Sequence, residues 1–215
     1  MMNSVALLPT LFRASGLERA YTSLVETVHN VQIVIAHEAD DVEAARFAER
    51  YGLLTAECKY RRGPAHAWNE ALKACPDGDI YILASDDAEY LAGWYQRALS
   101  VLPRAGLVGL NDSTGKYERT GWATQYIMAR DFIIQHNGGV AACPHYRVDF
   151  TDVEACERAK RAGVFAYCPD AFVIHHWRRV DDDGYREADK HRKDARRVYE
   201  RRKAEGFPDD FERII

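Results

Sequence analysis

Two adjacent carboxylates, Asp86 and Asp87, follow a short apolar run, Ile80-Tyr81-Ile82-Leu83-Ala84. Neighbouring carboxylates repel, and away from water they are costly unless a cation joins them. A divalent metal holding a phosphate is such a cation; a solvated turn that caps the next helix is the plainer alternative. His175 and His176 stand together further along, at the end of another apolar run. One imidazole with carboxylates suits Mn²⁺-like ions. Arg61 and Arg62 precede Gly63-Pro64, where proline suits the first position of a helix. The free N–H groups of that helix start, beside two arginines, can receive a phosphate, or the arginines can simply be solvated. Asp152 lies in Thr151-Asp152-Val153-Glu154, which reads as a capping box with Asp152 at the first helical position. There a carboxylate complements the helix dipole, and it acts in chemistry only if the helix start faces a ligand.

The elements that must position these groups follow from the apolar spacing. Short runs predict strands at 5–8, 31–36, 53–56, 80–84, 106–110, 164–167 and 171–174, with a further extended stretch at 122–128. Helical spacing fills the gaps. A capping box at Ser15-Gly16-Leu17-Glu18 opens the first helix. Asp40 or Asp41 caps a second, whose inner face is Val42, Ala45, Ala48 and Tyr51 and which Gly52 ends. Further helices are expected from Pro64, over 91–102 with Trp94, Ala98 and Leu99 inward, over 130–136, and from 151 to Gly163. Residues 111–121 read as a polar loop over a site or on the surface. The opening βαβαβ order predicts an α/β fold with a mostly parallel sheet flanked by helices, whose ligands sit beyond the carboxyl ends of the strands.

Composition bounds the classes. The chain has 215 residues, 47% apolar and 29% charged, with a formal charge of −4. It is long enough for one sizeable core, and it carries no global pull toward nucleic acid. Five cysteines without a Cys-x-x-Cys pair speak against a disulfide scaffold or zinc ribbon and for reduced thiols in a cytoplasmic setting. No stretch is apolar and long enough to be a membrane segment. No Gly-x-Gly-x-x-Gly follows a predicted strand, which argues against a dinucleotide-dependent dehydrogenase. From residue 178 to 203 the composition shifts, with eleven Lys/Arg against seven Asp/Glu. We therefore divide the chain into a domain over 1–177 and a charged helical C-terminal extension over 178–215. The helix is either solvated or a phosphate-facing arm built from Arg192, Lys193, Arg196, Arg197, Arg201 and Arg202.

Taken together and in order, several stretches resemble the GT-A nucleotide-sugar glycosyltransferases, family 2 type. The strand ending in Pro9-Thr10, the Arg62-Gly63-Pro64-Ala65 segment with Asn69, the run from Asp79 to Asp87 followed by Gly93-Trp94, the helix from Asp152 to Gly163, and Pro169-Asp170-Ala171 with His175 carry the likeness. It covers about residues 5 to 177. The resemblance implies a metal-dependent transferase moving a hexosyl or pentosyl group from a nucleoside-diphosphate donor to an acceptor hydroxyl, with inversion. Asp152 would be the catalytic base. Asp87 and His175 would hold Mn²⁺ or Mg²⁺. Pro9, Thr10, Arg13, Glu38, Arg62, Gly63, Asn69 and Asp86 would line the donor.

Departures from the family pattern bear on the donor and the acceptor. Ala36-His37-Glu38 stands where an acidic pair commonly meets the nucleotide base, and Ser85 weakens the first acidic position of the metal motif. The acceptor expected is a saccharide. A phage-type member would instead modify a hydroxymethylated DNA base, with the basic helix on the phosphates. The rival classes are a catalytically inactive nucleotide-sugar binding module and a sugar-nucleotide pyrophosphorylase. The latter would need a glycine-rich loop where Pro9-Thr10-Leu11-Phe12-Arg13 stands.

Overall fold

The structure is a computed structural model. It describes residues 2–104, 106–176 and 183–215, with side chains in the last stretch from residue 190. The boundary expected between residues 177 and 178 lies outside the described residues, as does Trp177.

The first half is a parallel βα array. Strands β1 (Ser4–Pro9), β2 (Val31–Glu38), β3 (Leu54–Cys58) and β4 (Ile80–Leu83) alternate with helices α1 (Ala14–Thr27), α2 (Val42–Tyr51) and α3 (Pro64–Ala74). They lie in the order β3-β2-β1-β4, every pair parallel. The chain thus turns back across β1 to reach β4, which leaves a crevice beyond the carboxyl ends of these two strands. The second half adds β5 (Ala88–Tyr90), α4 (Trp94–Val101), β6 (Leu107–Asn111), α5 (Lys116–Thr120), β7 (Tyr126–Ala129), α6 (Arg130–His136), α7 (Thr151–Arg161), β8 (Phe165–His175) and α8 (Asp183–Ala204). The sheet continues as β4-β7-β6-β8-β5, with β7 and β5 antiparallel to their neighbours and β8 parallel to β6.

The strands lack polar alternation because both faces are covered. Ala6, Leu8, Ile33, Ile35 and Ile82 pack on one side with Leu17, Ala44 and Trp94 from α1, α2 and α4. Val5, Leu7, Val34 and Leu83 pack on the other with Leu72, Phe132 and Cys156 from α3, α6 and α7. Fully burying an aliphatic side chain of this kind contributes roughly 1.5–3 kcal/mol. A third, smaller cluster joins Cys143, Tyr146 and Val153 to Tyr199 and Phe207, so α8 and the segment after it lie against α7.

Several local expectations are corrected. Neither capping box forms: α1 begins at Ala14 after Arg13, and α7 at Thr151 after Phe150, without a side-chain cap at either start. Ser15 therefore lies inside α1, and Asp152 is the second residue of α7. Helix α1 comes close to the turn after β4, where a Cβ on Gly16 would press on the Asp86 carbonyl. The α2 face is Ala44 and Ala48, while Val42 and Tyr51 are exposed. Asp41, not Asp40, caps α2, accepting from Ala44 N at 3.1 Å. Residues 111–121 contain α5 rather than loop alone. The two strands expected at 164–174 are one strand, β8, and its pairing with β6 shifts register between Leu110 and Asn111.

Candidate active site

The β1–β4 crevice is closed from below by Asp86. Its Oδ2 accepts from Thr10 Oγ1 at 2.9 Å and from Leu11 N at 3.4 Å, and its Oδ1 pairs with Arg13 at 3.0 Å. Burial pushes the Asp86 carboxyl up to about 6, against the pull of Arg13 and with a further rise from Asp87. Asp86 is thus the tie that holds the Pro9-Thr10 turn, through Thr10 and Arg13, onto the end of β4. Phe12, at φ 53°, is fixed by its N–H to Asp41 Oδ2 at 2.7 Å. Arg61 lies over its ring and pairs with Asp40 at 2.9 Å. Glu38, at the end of β2, has its carboxyl raised by burial although Arg61 pulls it down.

Asp87 and His175 meet because of β5, a strand the apolar pattern does not announce. Ala88, directly after Asp87, is the register partner of His175 at the end of β8. That pairing sets His175 Nε2 3.4 Å from Asp87 Oδ2, both side chains mostly buried. His175 Nδ1 is buried and makes no hydrogen bond. His176 points elsewhere, its Nε2 3.1 Å from Glu89 Oε2, while its N–H donates to the Asp87 carbonyl at 2.7 Å. The choice between the two histidines is made by this register.

The donor set fits a hard divalent ion that a ligand helps to hold. Two ligand atoms beside each other around an octahedral ion with bonds near 2.1 Å lie about 3 Å apart, close to the separation here. Among the described residues no group of three or more His, Cys, Asp or Glu gathers as a metal cage. Such an ion commonly takes one or two protein ligands and completes its shell with phosphate and water.

Asp152 is the second residue of α7. Lys116 Nζ of α5 lies 3.1 Å from its Oδ2. Lys116 was missed in the sequence, where 111–121 read as polar loop. The loop is ordered by Asp112, buried after β6, which accepts from Thr114 N at 3.0 Å, Thr114 Oγ1 at 2.7 Å and Thr124 Oγ1 at 2.5 Å. Burial alone would raise the Asp112 carboxyl, but these hydrogen bonds and nearby His175 bring it below its ordinary value. The run Asn111-Asp112-Ser113-Thr114 carries the side-chain turn chemistry that could have revealed this anchor. Gln125, also missed, donates to Ser85 Oγ at 3.1 Å, beside the acidic pair.

Arg62, Gly63 and Asn69 lie on the β3–α3 side. Asn69 is buried, with its amide used twice on Ala142: Nδ2 donates to the carbonyl at 2.8 Å and Oδ1 accepts the N–H at 3.1 Å. It fastens the 140–147 segment to α3. Gly63 caps α3 at φ 86°, so close to Arg147 that a Cβ would overlap that carbonyl. An open groove of about 450 Å³ results, lined by Tyr60, Arg61, Arg62 and residues 144–147, with no carboxylate in its walls. Asp87 is not among its lining residues. Gly63→Ala is expected to cost about 1–3 kcal/mol through backbone strain alone, read as a lower urea midpoint; an unchanged midpoint would mean that residue 63 does not need the φ 86° conformation.

Within the basic C-terminal segment Arg202 is anchored inward, while Arg192, Lys193, Arg196, Arg197 and Arg201 are exposed. Arg202 is 0% exposed. Its guanidinium grips Glu154 of α7 with two bonds of 3.0 Å and Asp210 with one of 2.6 Å. Arg158 adds Glu154 at 2.9 Å and Asp209 at 2.8 Å, and Tyr146 OH donates to Glu154 at 2.7 Å. Arg192 pairs with Asp149 and Arg197 with Asp194. Arg202 is therefore removed from the phosphate-facing set, because a fully buried ion pair uses it.

An acid limb of stability follows from this cluster. Burial alone would raise Glu154, but Arg202, Tyr146 and Arg158 outweigh it, and its carboxyl falls below the ordinary value. The hydrogen bond from Arg202 holds Asp210 down at about 2. Both folded values are depressed, so their stabilisation is complete above the unfolded carboxylate values near ~4 and is lost as pH falls through the folded ones. The melting temperature should decline from about pH 4.5 toward 2, and Asp210→Asn should flatten part of that decline. An unchanged slope in the variant would contradict the pairing.

No family model matches the chain, and no curated protein does. Solved structures do. A mannosyltransferase, PcManGT from Pyrobaculum calidifontis, in complex with GDP-Man and Mn²⁺, superimposes with a TM-score of 0.67 at 22% identity, covering 81% of this chain and 57% of that one. S. aureus TarS gives 0.64 at 13% identity over 87% of this chain and 38% of that one. GalNAc-T7 with UDP, GalNAc and Mn²⁺ gives 0.64 at 13% over 81% and 44%. At these identities the likeness establishes the fold: the chain has a GT-A-like α/β fold. It spans between about two-fifths and three-fifths of the length of these neighbours.

Proposed function

We propose that the protein transfers a sugar from a nucleoside-diphosphate donor to an acceptor hydroxyl, with inversion at the anomeric carbon. The observation that carries this is the meeting of Asp87 and His175, 3.4 Å apart, beside the β1–β4 crevice. In neighbours of the same fold, structures hold GDP-Man with Mn²⁺ or UDP with Mn²⁺. Asp87 and His175 would hold Mn²⁺ or Mg²⁺, which when bound neutralises the charge that gathers on the departing diphosphate.

The chain's own groups do the rest. The turn of Pro9, Thr10 and Arg13, held by Asp86, shapes the floor of the donor site, with Glu38 at its rim. Arg62 and the α3 start at Gly63 add fixed positive potential, which acts more strongly where water is excluded. Asn69 serves that wall indirectly, through Ala142. The acceptor oxygen attacks the anomeric carbon, and the bond from that carbon to the β-phosphate oxygen breaks with its electron pair left on the phosphate. Asp152 takes the acceptor proton. Lys116, 3.1 Å from its Oδ2, fixes the direction of the Asp152 carboxylate. The proton moves to Asp152 as the hydroxyl becomes acidic during attack. A saccharide is the acceptor class we favour, since a formal charge of −4 gives no global pull toward nucleic acid.

The test is release of nucleoside diphosphate from a panel of UDP-, GDP- and dTDP-sugars with saccharide acceptors, with and without Mn²⁺. Release that needs both metal and acceptor supports a transferase. Tight donor binding with no turnover under any acceptor would make the protein a binding module, and release of pyrophosphate from a nucleoside triphosphate with sugar phosphate would make it a pyrophosphorylase.

A further inference from the structure

The turn that delivers Asp152 is strained, and α8 holds it at three points. Asp149 and Phe150 both have positive φ, 23° and 66°, just before α7 begins. A non-glycine residue in that region costs on the order of 1–3 kcal/mol and persists only where the surroundings fix it. Arg192 Nε lies 3.3 Å from Asp149 Oδ2. The Tyr199 ring stacks on Phe150, centroids 4.8 Å apart and planes 17° from parallel. Arg202 clasps Glu154, two residues beyond Asp152, with two bonds of 3.0 Å. Positions 192, 199 and 202 are spaced seven and three apart and share one face of a helix. Ala195, between them on the same face, is buried. Asp210, from the segment after α8, bonds both Arg202 and His145, and Tyr146 bonds Glu154, so the same clasp reaches the groove wall at 144–147.

We propose that Arg202, together with the face of α8 it shares with Arg192 and Tyr199, is a positioning residue for Asp152, resting on the transferase function proposed above. Arg202 is fully buried and acts through Glu154, while Arg192 and Tyr199 act on the 149–150 turn. A two-pronged guanidinium fixes the direction of a carboxylate, which a single ammonium does not. Orientation of a base is worth much: displacement by about 1 Å can cost a hundredfold in rate.

Arg202→Lys separates orientation from charge. Three quantities are read on the full chain: turnover with the donor identified by the panel above, donor KM, and amide hydrogen exchange across 149–156. The expected result is a turnover about ten- to a hundredfold lower, donor KM within twofold, and faster exchange across 149–156. Wild-type turnover and exchange in this variant would overturn the proposal. So would a raised donor KM with turnover unchanged, since Arg202 would then act on the donor. If Arg202→Lys does not fold, Asp210→Asn, which removes a half-exposed partner of the same guanidinium, carries the same three readings. If the wild-type protein turns over no nucleotide sugar, the transferase function fails by itself, and the exchange comparison still decides whether α8 braces the turn.

Discussion

Asp152→Asn is expected to reduce sugar transfer by about 10²–10⁴-fold while the protein stays folded and donor KM stays near its wild-type value. Asparagine has the shape of aspartate but cannot take the acceptor proton. It keeps a polar group in the first turn of α7, and losing the charge there costs a few tenths of a kcal/mol to about 1. Lys116 loses its partner at 3.1 Å, but that pair is partly solvated, and such pairs contribute about 1 kcal/mol or less. The chemical effect, about 3–5 kcal/mol when converted from the rate, therefore exceeds the structural one. Near-normal transfer by folded Asp152→Asn would remove Asp152 from the mechanism. Transfer lost together with donor binding would make its role structural.

Arg202→Ala is expected to destabilise the fold by about 3–5 kcal/mol, the usual consequence of stripping one partner from a buried charge pair. Glu154 is 1% exposed and would stay buried with only Arg158 and Tyr146 to meet it. Burial opposes the charge on Arg202, but its bonds to Glu154 and Asp210 outweigh that and raise its pKa above the ordinary arginine value. Total stabilities of domains run about 5–15 kcal/mol, so the loss is a large share and should appear as a marked fall in the urea midpoint. The double variant Glu154→Gln, Arg202→Met should recover much of it, because removing both charges also removes their desolvation. A midpoint unchanged in Arg202→Ala would show that the clasp contributes nothing net.

The fold was legible where one local rule decided the outcome. The apolar runs gave β1, β2, β4 and β6 because a strand covered on both faces has no other pattern. Gly52 ended α2 in the left-handed conformation, at φ 63°. What stayed hidden depends on partners distant in sequence. β5 is three residues long and exists by pairing with β8, 85 or so residues away. The capping box at Thr151 matched a local pattern, but Glu154 is drawn inward by Arg202, and that pull exceeds what a cap contributes. The α2 face shifted because Tyr51 packs at a tilt against Tyr21 and Phe47 at its border rather than entering the core.

The candidate site divides the same way. Asp86 and Asp87 stood out as a pair, but only the structure gives them separate places, Asp86 tied to Thr10 and Arg13 and Asp87 facing His175. Lys116 and Arg202 were concealed by ordinary surroundings, one in a polar loop and the other in a basic helix. A lysine beside a carboxylate thirty-six residues on leaves no periodic trace.

Calorimetric titration of the wild-type protein and Asp87→Asn with nucleoside diphosphates, with and without Mn²⁺, tests most directly whether Asp87 and His175 hold the donor through a metal. For the wild type we expect one nucleoside diphosphate to bind at least about tenfold more tightly with Mn²⁺, ~1.4 kcal/mol or more, and for Asp87→Asn we expect that metal-dependent gain to vanish while weak metal-independent binding remains. Equal affinity with and without Mn²⁺ in the wild type, or an undiminished gain in Asp87→Asn, would contradict the metal-assisted donor site.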